Sequence, residues 1–368
     1  MYINYYLLII NFLTLKSISS SSIPRITCRA PDNSTVDWYT MFSFPSKQQN
    51  FTYAYMDNKM KKYKYYTYDS PYSFPPSIIT NYVYSNHSSN LNYFFWNDDT
   101  TTKNGLPSTV SNNKAHSKGS LVYDKESGVF LLHSLPRFPL RDEENNLYLE
   151  MPDNNGINGQ SFLCITLDLN NVDKIEKILN YINVNINLSV KEDKVHNPPN
   201  EYTLKLINNV FSSKYPNYLI TNITSKIRKK NFTFISKNHK YLVTPYDESI
   251  RDIYNDDFYV KTWTRPFYAD SLCEKYKLLN VFEVNFNNNI IKKNNDHSKW
   301  AVSMNKNISC FGDLNHVESQ IKRGGNIVCF DNYYVSKELK KSIVSHDECP
   351  FEDYFESIEN VNEIKYYF

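Results

Sequence analysis

The tripeptide His-Ser-Lys occurs twice in this chain, at His116-Ser117-Lys118 and at His297-Ser298-Lys299. A second polar cluster follows each copy some 15 residues on: His133-Ser134-Leu135-Pro136 and Gly312-Asp313-Leu314-Asn315. A motif repeated with its spacing marks an internal duplication, which restricts the fold to two halves of like construction. Around the first copy, Lys114 to Pro139 reads as a β-hairpin. Ser120 to Tyr123 and Val129 to Leu132 are apolar and partly β-branched, and the stretch between them is turn-like. His116 and Lys118, two apart, point to the same face of the strand end. A turn at Glu126 and Ser127 sets Ser120 opposite His133, so His133 returns to the end that carries His116 and Lys118. Two imidazoles and an ammonium there suit a phosphate.

Breaking a phosphodiester needs a nucleophile, a proton for the departing alkoxide, and positive charge on the non-bridging oxygens. Many enzymes take that charge from a divalent ion. This sequence has no dense Asp/Glu/His cluster and no HExxH or CxxC signature, so no metal ligands and no cofactor are expected. Two Lys and two His can do the same work. The ammoniums hold the phosphate while one imidazole attacks and the other donates a proton. A protonated imidazole is plentiful only near or below a pKa of about 6.5, so the chemistry favours acid.

With 368 residues the chain can bury two sizeable cores or one large duplicated one. Its formal charge of +2 excludes a basic nucleic-acid coat, so a polyanion would have to bind locally, in a cleft. Residues 1–20 have the form of a signal peptide: an apolar run from Tyr5 to Leu15, then small polar residues, though no Lys or Arg precedes the run. No later stretch resembles a membrane anchor. Six Cys and seven Asn-x-Ser/Thr sequons, at Asn33, Asn50, Asn86, Asn187, Asn222, Asn231 and Asn307, agree with secretion or a lysosomal destination. Spacing alone leaves fifteen disulfide pairings open.

Several other features have a plain structural reading. Asp37 starts a buried strand, and Asp124 sits at the hairpin turn. Asn171 to Asn183 is an amphipathic helix, with Val172, Ile175, Ile178, Leu179 and Ile182 on one face. Tyr202 to Phe211 suggests another helix, and a last one is expected near Cys349. The basic run Lys226 to Lys230 reads as a solvated surface. Trp263 and Arg265 are as suited to core packing as to lining a nucleic-acid groove.

Paired His-x-Lys motifs, one per half, resemble the phospholipase D superfamily, and the longer strings around them resemble the DNase II family. The matching segments are VDWYTMFSFP, AHSKGSLVYD with GVFLLHSLPRFP, NGQSFLC, DHSKWAVS, and CFGDLNH with KRGGNIVC. They run in order along most of the chain, leaving a divergent middle from about Asn170 to Asp257. The resemblance implies an α+β, phospholipase D-like fold of two pseudo-symmetric lobes, each a mixed sheet flanked by helices. Residues 21–170 would hold the first motif and 171–368 the second, with the two motifs meeting between the lobes. The implied activity is a metal-independent acid endonuclease acting on DNA through a phosphohistidine, leaving 3′-phosphate and 5′-hydroxyl ends. His116 would be the nucleophile and His297 the general acid, the reverse assignment being geometrically equivalent, with Lys118 and Lys299 the clamp and Asn315 and His133 hydrogen-bonding support. The implied disulfides are Cys28–Cys164, Cys273–Cys349 and Cys310–Cys329. No obligatory protein partner is implied. The competing expectation is a secreted glycoprotein that keeps this fold as an inactive binding or immunomodulatory module.

Overall fold

The computed structural model of the chain describes residues 26–46, 51–70, 73–84, 90–101, 107–108, 114–141, 147–148, 158–195, 199–211, 218–263 and 269–350. The expected signal peptide, the sequons at Asn50 and Asn86, and Arg265 lie outside them, as does any helix beyond Pro350. The described chain is α+β, with two large sheets and few helices.

The first sheet has eight strands, in the order Ile186–Ser189, Asn92–Trp96, Gly119–Tyr123, Gly128–His133, Gln160–Leu167, Trp38–Ser43, Thr52–Asp57 and Lys64–Thr67. All its pairings are antiparallel, whereas a mixed sheet is expected in each lobe. The helices Pro75–Tyr84 and Leu169–Ile182 lie between successive strands of this sheet, but each links strands that are not neighbours in it, so neither makes a parallel pair. The sheet also reaches past residue 170 through Ile186–Ser189. The second sheet has ten strands and is mixed, because Phe258–Lys261 runs parallel to Lys277–Phe286.

The sheets pack face to face. Trp38–Ser43 and Gln160–Leu167 are buried at every position, as strands covered on both faces must be. Their period of two divides the side chains between cores. Trp38 and Phe42 enter the shared core, where Trp38 meets Phe330 at 5.3 Å between ring centroids and Phe42 meets Phe311 at 5.7 Å. Tyr39 and Met41 face the outer core of the first sheet. Disulfides join Cys28 to Cys164, Cys273 to Cys349 and Cys310 to Cys329.

The amphipathic stretch forms a helix over Leu169–Ile182, with its five apolar residues buried. Asp168 caps its start by accepting from the Asn171 N–H, and Asn183, at φ 62°, ends it in the left-handed region. The next helix, Glu201–Ile207, is shorter than the sequence suggests, because Asn208 ends it and Asn209 turns to φ 56°. Towards the C-terminus, the helix Tyr333–Ser342 leads into a strand, Ile343–His346, before the Cys349 tether. Asp37 is structural. Its carboxylate accepts from Ser225 Oγ (2.5 Å), Ile227 N (2.8 Å) and Arg228 N (3.0 Å), shaping the start of the basic run while Ile227, Arg228 and Lys229 stay exposed.

Candidate active site

The first hairpin turns one residue earlier than the apolar pattern alone suggests. The Asp124 carboxylate accepts from Glu126 N (2.7 Å) and Ser127 N (2.9 Å), and this side-chain turn fixes the register. Ser120 therefore faces Leu131 instead of His133, and the His133 N–H donates to the Lys118 carbonyl at 3.1 Å. The second half repeats this frame: Gly312 N donates to Lys299 O at 3.0 Å. One residue on, Ser134 N meets Ser161 O (3.0 Å) while Ser161 N returns to Ser134 Oγ (2.9 Å). In the second half Asp313 N meets Asn326 O (2.9 Å) and Asn326 N returns to Asp313 Oδ2 (2.9 Å).

Each motif is held by the opposite sheet. His116 N donates to Gly324 O at 2.9 Å, and His297 N donates to Gly159 O at 2.8 Å. Lys299 N adds a bond to Ser161 Oγ at 3.0 Å. Arg323 grips the segment just before the first motif, giving Nε to Lys114 O (3.1 Å) and Nη2 to Ala115 O (3.0 Å). The approach is close enough that a Cβ on Gly324 would lie 2.1 Å from Ile182 O, so only glycine fits there.

In this crossed clasp Lys118 and Lys299 are buried and both act electrostatically on His116, while His116 and His297 are each partly exposed. His116 Nδ1 lies 2.8 Å from the Asp313 carbonyl oxygen, which can only accept. The proton is therefore on Nδ1, and the Nε2 lone pair points away from the clasp. Asp98 stands opposite. One carboxylate oxygen bonds the Lys118 ammonium, and the other lies 2.9 Å from Arg323 Nη1 and 3.7 Å from His116 Nε2. The His297 ring packs against Trp263 at 4.6 Å, and Lys299 Nζ donates to His297 O at 3.0 Å.

Burial sets the protonation states. It pushes His116 well below the usual imidazole range, and the Lys118, Lys299 and Arg323 charges add to the shift against the pull of Asp98. His133 is pushed down to about 3, by burial first and then by Lys118. Lys299 falls to about 7, again from burial and then from the Lys118 ammonium. Asp313 is raised to about 7 by burial, against the Asn326 N–H, the Ser117 hydroxyl and both ammoniums. For Asp98 burial, which raises it, is outweighed: with the His116 ring neutral, the Lys118 and Arg323 charges and the Lys118 hydrogen bond hold it below the usual carboxylate range.

Among the residues expected at a site, His116, Lys118, Lys299 and His133 thus share one electrostatic environment. His133 is enclosed by the rings of Phe138 and Phe162. Asn315 acts at one remove. Its Oδ1 accepts from Trp263 N at 3.2 Å, which supports the ring lying on His297. Asp124 stays in its turn. Asp98, Arg323 and Asp313 belong to the site although the motifs alone do not nominate them. The signals for two of them are faint: Asp313 lies in the repeated polar cluster, and Asp98 follows the Tyr93-to-Trp96 strand by two residues. Among the described residues no three His, Cys, Asp or Glu side chains group as metal ligands would.

The family model described as Deoxyribonuclease II matches residues 27–349. Plancitoxin-1 of Acanthaster planci is 27% identical over 353 residues, covering 91% of this chain and 96% of its own. Human deoxyribonuclease-2-beta is 26% identical, covering 88% and 92% respectively. Cell-death-related nuclease 7 of Caenorhabditis elegans is 24% identical, covering 92% of each chain. With the family match spanning nearly all of the sequence, from the first described strand to the last cysteine, the chain belongs to the deoxyribonuclease II family.

Proposed function

We propose that this protein is an acid endonuclease that hydrolyses DNA phosphodiesters at one site shared by both His-x-Lys motifs. The observation that carries the reading is the burial of Lys118 and Lys299, from distant parts of the sequence, close enough that each charge acts on the same His116. A buried ammonium costs several kcal/mol unless an anion meets it, and two around one imidazole suit a phosphate. The repeated register supports reading the halves as the pseudo-symmetric lobes of a phospholipase D-like fold.

In the proposed reaction, His116 Nε2 attacks phosphorus while the bond to the 5′ oxygen breaks. His297 gives that oxygen its proton. Water then attacks the phosphohistidine, passing a proton back to His297, and the phosphorus–nitrogen bond breaks to release the 3′-phosphate end. The depressed His116 pKa keeps the nucleophile neutral in acid, where a general acid is also available. Lys118, Lys299 and Arg323 supply the charge that a metal supplies elsewhere. The three disulfides suit an oxidising secretory or lysosomal setting, and no described helix is long and apolar enough to cross a membrane.

The test is nicking of plasmid DNA by purified protein at acid pH in excess chelator, with end-group analysis of the products. Cleavage giving 3′-phosphate and 5′-hydroxyl ends is expected. Abolition by chelator would overturn the metal-free mechanism, and no cleavage under any condition would favour an inactive binding module.

A further inference from the structure

Asp98 takes no part in the proposed bond-making and bond-breaking, yet it occupies the centre of the site. Its carboxylate touches the Lys118 ammonium and Arg323 and faces the nucleophilic His116 Nε2 at 3.7 Å. In-line attack requires the phosphorus roughly 3–3.5 Å from that nitrogen. A non-bridging oxygen would then need the same two cations. The carboxylate and the substrate phosphate compete for one position.

We infer that Asp98 is a built-in stand-in for the scissile phosphate, and that substrate binding displaces its carboxylate from the subsite formed by His116, Lys118 and Arg323. The inference rests on the proposed nuclease function and adds the identity of the phosphate pocket. The surroundings make displacement a side-chain event. The preceding Asn97 is pinned through Nδ2 to Leu135 O (3.3 Å) and Phe138 O (3.1 Å), and its Oδ1 accepts from Asp99 N (2.9 Å). The backbone is therefore anchored on both sides of Asp98. Arg323 cannot follow the departing carboxylate, because Nε and Nη2 are committed to Lys114 O and Ala115 O. Its Nη1 stays aimed at the vacated position. Asp98 also stays ionised in acid, so it leaves by exchange with another anion and not by protonation.

Before substrate arrives, the carboxylate offsets one of three positive charges, those of Lys118, Lys299 and Arg323. Removing it should strengthen the pull on any phosphate. The experiment measures binding of inorganic phosphate by calorimetry at acid pH for the wild type, Asp98→Asn and Asp98→Ala, together with KM and kcat on an oligonucleotide. The expected result is about tenfold tighter phosphate binding in both variants and a lower KM, within the range of one lost charge competitor. A structure of the wild type with phosphate should show the Asp98 carboxylate swung away from Lys118 and Arg323, and this arm decides the matter if neither variant folds. Phosphate binding that is unchanged or weaker in folded variants, with kcat reduced, would overturn the inference and leave Asp98 as a positioning residue for His116. A phosphate-bound structure with the Asp98 contacts intact would do the same. If the wild type cuts no DNA while the variants still gain phosphate affinity, the nuclease reading fails and the pocket assignment stands.

Discussion

The two His-Ser-Lys motifs share one backbone frame and differ in what surrounds the imidazole. In the first, His116 has Nδ1 fixed by a carbonyl, Nε2 directed at an anion position, and cations on the far side of that position. In the second, His297 lies against the Trp263 ring, and its own carbonyl accepts from Lys299. The two positions have the same backbone bonding, and the residues around them make them unlike. A nucleophile needs a defined tautomer and a nearby target, which the first environment provides. A proton donor has to gain and lose its proton within each turnover, and the second environment sets an aromatic face against His297 where the first sets a carboxylate and a guanidinium before His116.

That contrast can be broken most forcefully at the histidines. His116→Ala should lower DNA cleavage about a hundred-thousandfold, as for loss of a covalent nucleophile. His297→Ala should cost about a thousandfold, the scale of a lost general acid. A thymidine 3′-(p-nitrophenyl phosphate) substrate, whose leaving group needs little protonation, sharpens the distinction. His297→Ala should release nitrophenolate in a single burst and hold the thymidine 3′-phosphoryl group on His116, detectable by mass spectrometry as the mass of that nucleotide adduct, whereas His116→Ala should release none. The reverse pattern would exchange the two roles.

The cations come next. Arg323→Ala removes a phosphate contact and a clasp, and should lower kcat/KM about a hundredfold, in line with loss of one transition-state donor. The pH dependence follows from Lys299 and Asp313, both near 7. As pH rises through 7, Lys299 loses its positive charge and Asp313 gains a negative one, so the site becomes less positive on both counts. KM should therefore rise above about pH 7, and Asp313→Asn should leave only the Lys299 limb, moved to lower pH because the Asp313 charge holds Lys299 up; a KM flat from pH 5 to 8 would contradict it. The smallest effect should come from Asn315→Ala, which loosens Trp263 over His297. A loss of about tenfold in kcat is expected, equal to about 1.4 kcal/mol, with phosphate affinity unaffected.

Much of the site is legible in the sequence itself. The duplicated tripeptide marks the lysines and histidines because identical short strings at matched spacing are a local property of the chain. The helix at Leu169–Ile182 is legible for the same reason, since its periodicity lies within one element. The hairpin register is not: it turns on whether the Asp124 carboxylate bonds the next backbone amides, and an apolar pattern does not decide that by itself. Nor is Asp98. Its meaning depends on Arg323 and Lys118, which reach it only after strands from both sheets are in place. The all-antiparallel first sheet is also hidden, because it depends on how distant strands meet.

The crossed clasp, in which His116 hangs from Gly324 and His297 from Gly159, means that neither half owns a working centre. During synthesis the first motif emerges long before the residues that hold it in place. A partly made or truncated chain would thus carry the proposed nucleophile with no fixed geometry and only part of its charge cradle. For a protein that degrades genetic material, completion of folding would itself be the switch that arms it.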